Sequence, residues 1–210
     1  MCSSDLCGLG RTGSRWACQQ DGVAPELLVV AKGLAAGYQP ISATLVSEKI
    51  YDAISRTRGH FQHGHSYQAH AVACATALAV QRVIREQNLI SNVRSQGEML
   101  MRLLRERFGR HPHVGDIRGR GLFWALEFVA DRTTKTPFDP GFRVYDRVKS
   151  AAYDLGLAIY PMGGTIDGKH GDHIITAPPY NVTATEIDTI VARLGDAVDN
   201  ALLGIESPNP

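Results

Sequence analysis

The stretch Leu27-Leu28-Val29-Val30-Ala31-Lys32-Gly33-Leu34 puts a single primary amine at the end of an apolar run. The run is too short for an ordinary helix and holds two adjacent β-branched valines, so a buried strand is expected. Lys32 then stands where that strand leaves its sheet. An amine that is partly desolvated there is a better nucleophile towards a carbonyl than one in bulk water. Gly33 lets the backbone turn sharply or lets a ligand approach. The competing reading is a strand-end lysine that reaches for solvent, as most lysines do.

Two other groups of residues carry possible chemistry. Gly8-Leu9-Gly10-Arg11-Thr12-Gly13 spells G-x-G-x-x-G. A dinucleotide site of that type needs a hydrophobic strand before it and an acid about 20 positions on. Asp21 and Glu26 come too early and Glu48 too late, so a glycine-rich turn is the better reading. His63, His65, His70 and Cys74, with His111 and His113 further on, could offer metal ligands. No second cysteine or carboxylate completes a zinc spacing, so hydrogen-bonded loop histidines are expected and no metal.

The elements that must position these residues follow from periodicity and turn chemistry. Ser14 to Gln20 is helix-like, Ile41 to Ser47 a strand, and Glu48 to Arg56 a short amphipathic helix. Ala71 to Val80 is alanine-rich and helical; a break at Asn88 to Asn92 precedes a second helix ending at Gly109. Beyond it, Val114 to Arg118, Leu122 to Val129, Leu157 to Tyr160 and His173 to Thr176 read as strands, with Gly119 to Gly121 a turn. Phe142 to Leu155 reads as a helix with Gly156 at its C-cap, and Gly163 to Gly171 as a glycine-rich loop. Thr183 with Glu186 forms a capping box for a last helix that runs to about Leu202.

Composition narrows the class. The chain has 210 residues, 44% of them hydrophobic, enough for a real core. With 22 basic and 21 acidic residues the net charge is +1, so neither nucleic acid nor an anionic membrane is favoured as a partner. The four cysteines form no regular framework and read as reduced thiols of a cytoplasmic protein. Met1 to Leu6 has no strand or helix pattern. It matches a translated sequencing adapter and reads as a non-native leader.

Five motifs recur in one order: Cys7 to Gly13; Ala31-Lys32-Gly33-Leu34 with Gly37-Tyr38; His63-Gly64-His65-Ser66-Tyr67 with His70 and Ala73-Cys74-Ala75; Arg118 to Leu122; and Pro178-Pro179. Together they resemble the class III aminotransferases, pyridoxal-phosphate enzymes of fold type I. The resemblance implies an α/β chain. It holds the end of a large, mainly parallel-sheet domain over 7–88 and a small C-terminal α/β domain over 89–206, with a tail at 207–210. It implies that Lys32 holds pyridoxal 5'-phosphate as an internal aldimine and shuttles a proton in the reaction. Ser66 stands where the family usually has Thr, and there it would bind the cofactor phosphate across a homodimer interface.

Two departures qualify what the resemblance implies. The family carries Asp-Glu-Val before the glycine loop, its Asp pairing with the pyridine nitrogen. Here Ser3, Ser4 and Asp5 stand at those places, so that role passes to none of them. Many members carry a substrate-carboxylate arginine before the last strand. Here the segment is Gly168-Lys169-His170-Gly171-Asp172, and Lys169 could stand in as a point charge but not as a bidentate fork.

The expected reaction moves an amino group from an amine or ω-amino acid to a 2-oxo acid such as pyruvate, with this chain inactive alone. An aminomutase or a decarboxylating transaminase of the same family is the nearest alternative. A dinucleotide-binding oxidoreductase built on Gly8 to Gly13 and a cofactor-free scaffold protein are the alternatives of other classes.

Overall fold

The computed structural model describes Cys2, Ser3 and residues 7–205. The chain divides into two compact units, Met1–Arg94 and Ser95–Pro210.

The first unit is built on a three-stranded sheet of order β1-β2-β3, with β1 at Cys2–Ser3, β2 at Leu27–Val30 and β3 at Ala43–Val46. β1 runs parallel to β2, Cys2 opposite Leu28 and Ser3 opposite Val29. This corrects the reading of Met1 to Leu6 as free of strand structure. A ladder is made by backbone N–H and C=O groups, so two residues can join one with no side-chain pattern to announce them. Met1, Ser4 to Leu6 (Asp5 included) and the expected tail at 207–210 lie outside the described residues.

β2 is not buried on both faces as expected. Leu28 and Val30 are buried and pack with Leu9, Trp16, Leu34 and Ala43, while Leu27 and Val29 are half-buried. It pairs antiparallel with β3, and a strand of such a sheet can keep one face outside the core.

Helix α1 spans Glu48–Arg58 and ends at Gly59, whose left-handed backbone returns its N–H to Ser55 O. Helix α2 spans Ala71–Glu86, and the His70 side chain accepts from Ala73 N at its start. The break before α3 (Leu89–Phe108) is narrower than expected, because Leu89 to Asn92 are already helical. Asn88 takes φ +51, a left-handed conformation asparagine tolerates, so Gln87 and Asn88 suffice to end α2 before α3 begins.

The second unit holds a four-stranded antiparallel sheet of order β4-β5-β7-β6: β4 Val114–Arg120, β5 Phe123–Phe128, β6 Tyr160–Gly163 and β7 Asp172–Thr176. Trp124, Leu126 and Phe128 point into the core, where Ile174, Val144, Val148, Ile187, Leu194 and Val198 are also buried. The last five of these come from α4 (Val144–Asp154) and α5 (Ala184–Leu202), which pack on each other.

Three boundaries differ from the sequence reading. Gly119 and Arg120 belong to β4, opposite Trp124 and Phe123, and are not a turn. Gly119 is there for closeness: a Cβ would lie 2.2 Å from Phe123 O. β6 begins at Tyr160 where the reading ended it. Pro161 is tolerated because β6 is an edge strand paired only with β7. The C-cap of α4 is Leu155, and Gly156 follows it at φ +72. The capping box of α5 forms as expected, Glu186 N donating to Thr183 Oγ1 at 3.3 Å and Thr183 N to Glu186 Oε2 at 2.8 Å.

Candidate active site

Lys32 leaves β2 two residues beyond its last paired position. The strand ends at Val30, Ala31 stays extended, and Lys32–Leu34 form a single 3₁₀ turn. Leu34 N donates to Ala31 O at 2.9 Å and Ala35 N to Lys32 O at 3.3 Å. Lys32 itself adopts φ +41, a left-handed backbone that glycine takes freely and lysine does not. Strain of that kind costs on the order of 1–3 kcal/mol and gathers at functional sites. Ala35 is fully buried beneath the turn, and Ala36 and Gly37 also have positive φ. The chain therefore reverses direction tightly and turns the lysine outward.

The expected desolvation of Lys32 is not seen within this chain, where the residue is exposed. The strand that would have buried it stops short, and the turn lifts the side chain away from the β2 core. One contact pins the turn from a distance: Gln81 Nε2 on α2 donates to Gly33 O at 3.3 Å and to Leu34 O at 3.1 Å. Sequence reading missed Gln81. Its only signal was a polar residue next to Arg82, between Val80 and Val83.

Ser66 lies on the exposed loop between α1 and α2. Gln68 N donates to His65 O at 3.0 Å and His70 N to Tyr67 O at 3.3 Å, which shape the loop around it. His63 Nε2 and His65 Nε2 stand 3.0 Å apart with their rings edge-on. Among the described residues no group of three or more His, Cys, Asp and Glu side chains could hold a metal ion.

Gly8 to Gly13 is a run of turns, Gly13 N donating to Gly10 O at 2.9 Å. Only a five-residue 3₁₀ helix, Ala17–Asp21, follows it. The strand-loop-helix context of a dinucleotide site is thus missing its helix, and the oxidoreductase alternative falls.

Lys169 belongs to the second unit, on the loop between β6 and β7. Asp167 shapes that loop by accepting from Lys169 N at 2.9 Å and His170 N at 2.8 Å, and its other oxygen lies 2.7 Å from His170 Nδ1. The His170 backbone N–H first, and its ring second, hold the Asp167 carboxyl down at about 2. At the base of the loop, Thr165 Oγ1 lies 2.7 Å from His173 Nδ1.

The donor set suits pyridoxal phosphate at two of its groups. A primary amine on an exposed turn is the natural partner of an aldehyde, and a loop hydroxyl with backbone N–H groups suits a phosphate.

A family model for aminotransferase class-III matches residues 6–198. The chain is 48% identical over 198 residues to an aminotransferase of Gibberella zeae, covering 94% of this chain and 39% of that protein. Among solved structures, a transaminase obtained through ancestral reconstruction superposes with a TM-score of 0.90 at 38% identity, over 97% of this chain and 44% of the other. An amine transaminase from an uncultivated Pseudomonas species, solved in its PLP-bound internal aldimine form, gives 0.85 at 33% identity, over 94% of this chain and 44% of the other. The chain spans about two fifths of the length of such relatives.

Proposed function

Because this chain belongs to the class III aminotransferase family and matches part of the fold type I transaminase structures, we propose that it serves a pyridoxal-phosphate enzyme. That enzyme moves an amino group from an amine or ω-amino acid to a 2-oxo acid such as pyruvate. Pyridoxal phosphate use and transamination belong to the family; the donor, the acceptor and the residue roles belong to the proposal.

The observation that carries the reading is the strained turn at the end of β2, which presents Lys32 in a left-handed backbone. Lys32 holds the cofactor through Nζ. When bound, the cofactor supplies an electron sink for the carbon that gives up its proton. Once the substrate amine has taken its place on the cofactor, the freed Nζ would act as base and then acid, moving a proton from the amine-bearing carbon of the substrate to the cofactor carbon. Ser66 offers its hydroxyl to the cofactor phosphate. In a homodimer that hydroxyl comes from the partner subunit, so neither subunit completes a site alone. For Lys169 the proposed role is a point charge for a substrate carboxylate. The 210-residue chain by itself is expected to show no turnover.

The test is covalent. Reduction with borohydride in the presence of pyridoxal phosphate, followed by peptide mapping, should label Lys32, and Lys32→Ala should lose that label. Label spread evenly over exposed lysines such as Lys49 and Lys169 would overturn the assignment.

A further inference from the structure

Within the turn that carries Lys32, Leu34 N donates to Ala31 O and Ala35 N to Lys32 O, and Lys32 itself has a left-handed backbone. Support comes from α2, where Gln81 is half-buried and sends one amide nitrogen to two consecutive carbonyls, those of Gly33 and Leu34. A primary amide has two N–H donors on one nitrogen, so a single side chain can satisfy both oxygens. Those oxygens belong to the residues directly after Lys32. Fixing them fixes the direction in which the lysine leaves the strand.

We infer that Gln81 is a positioning residue for Lys32, tying the lysine turn to α2 so that the amine is held in one direction. The inference deepens the cofactor reading of Lys32 and rests on it. Gln81 does not touch the reacting atoms. It limits where Nζ can go, and reactions of a positioned group slow when it is allowed to wander.

The experiment uses the full 210-residue chain with Gln81→Leu, which removes the donors, Gln81→Glu, which keeps the shape without them, and Gln81→Arg, which restores N–H donors. Two quantities are read: amide hydrogen exchange at Leu34 and Ala35, and the yield of pyridoxal phosphate fixed on Lys32 by borohydride. In the Leu and Glu variants exchange should rise about tenfold, the order expected for one or two lost hydrogen bonds. Lys32 labelling should fall about threefold or more while α2 amides keep their protection. The Arg variant should recover most of both. Faster exchange with unchanged labelling overturns the positioning role, and so does unchanged exchange. A parent chain in which Lys32 takes no label overturns the cofactor reading itself, and the positioning role with it; that arm uses no Gln81 variant.

Discussion

His173 sits in β7 with 8% of its surface exposed, opposite Glu127 on β5. Burial holds its pKa below the ordinary histidine value, and the Arg118 guanidinium adds to this against the pull of Glu127 and Asp172. His111 is shifted the same way, again by burial first, with Asp199 opposing. Both rings are therefore neutral in the fold at a pH where the unfolded chain, titrating near about 6.5, already binds protons. The unfolded state gains more protons as pH falls, so stability is full above that value and declines below it. The unfolding midpoint should drop between pH 7 and pH 5, and His173→Gln should make the drop shallower; an equal slope in both would refute this. None of this was legible from the sequence. His173 showed only as the first residue of a predicted strand, and its burial depends on which face of the sheet the register assigns it.

At the scale of elements, caps were readable and close approaches were not. Thr183 and Glu186 announce the start of α5 by spacing alone, and both hydrogen bonds form. Thr183→Ala should cost about 1 kcal/mol, measurable by denaturant unfolding. Gly119, read as part of a turn, proved to mark close strand contact instead. In α3, a Cβ on Gly97 would lie 2.4 Å from Gly121 O, so the helix passes directly over the β4–β5 turn. Leu122 in that turn is fully buried, and Trp124 Nε1 donates to Gly121 O at 2.7 Å. Gly97→Ala should therefore cost about 1–3 kcal/mol through forced separation, where an exposed helical Gly→Ala would have stabilised. The strand at Leu27 to Val30 was legible from its β-branched run. The left-handed lysine after it was not, because no neighbouring residue type dictates φ at Lys32.

At the scale of the whole molecule the two units differ in how much apolar surface they cover. The second buries Leu100, Leu104, Phe108, Leu126, Phe128 and Ile174 almost completely. The first leaves Tyr38, Tyr51, Phe61, Tyr67, Val72 and Leu78 exposed over its loops and helices. In hydrogen exchange, amides of β2 and α2 should exchange faster than those of β5, β7 and α5, because local opening follows the density of buried contacts. Comparable protection in the two units would refute that. Composition forecast a chain able to bury a core, but an average over 210 residues does not tell where the burial is spent. The five ordered motifs, by contrast, identified the family that the match over residues 6–198 bears out.

Lys32 is a poor choice for its own backbone. Glycine would relieve the left-handed conformation by about 1 kcal/mol, less what its freedom costs in the unfolded chain. Directed evolution for heat resistance alone should accordingly accept glycine at this position, and the same library screened for pyridoxal phosphate fixed by borohydride should reject it. A site where the two screens disagree is one where the residue serves something other than the fold.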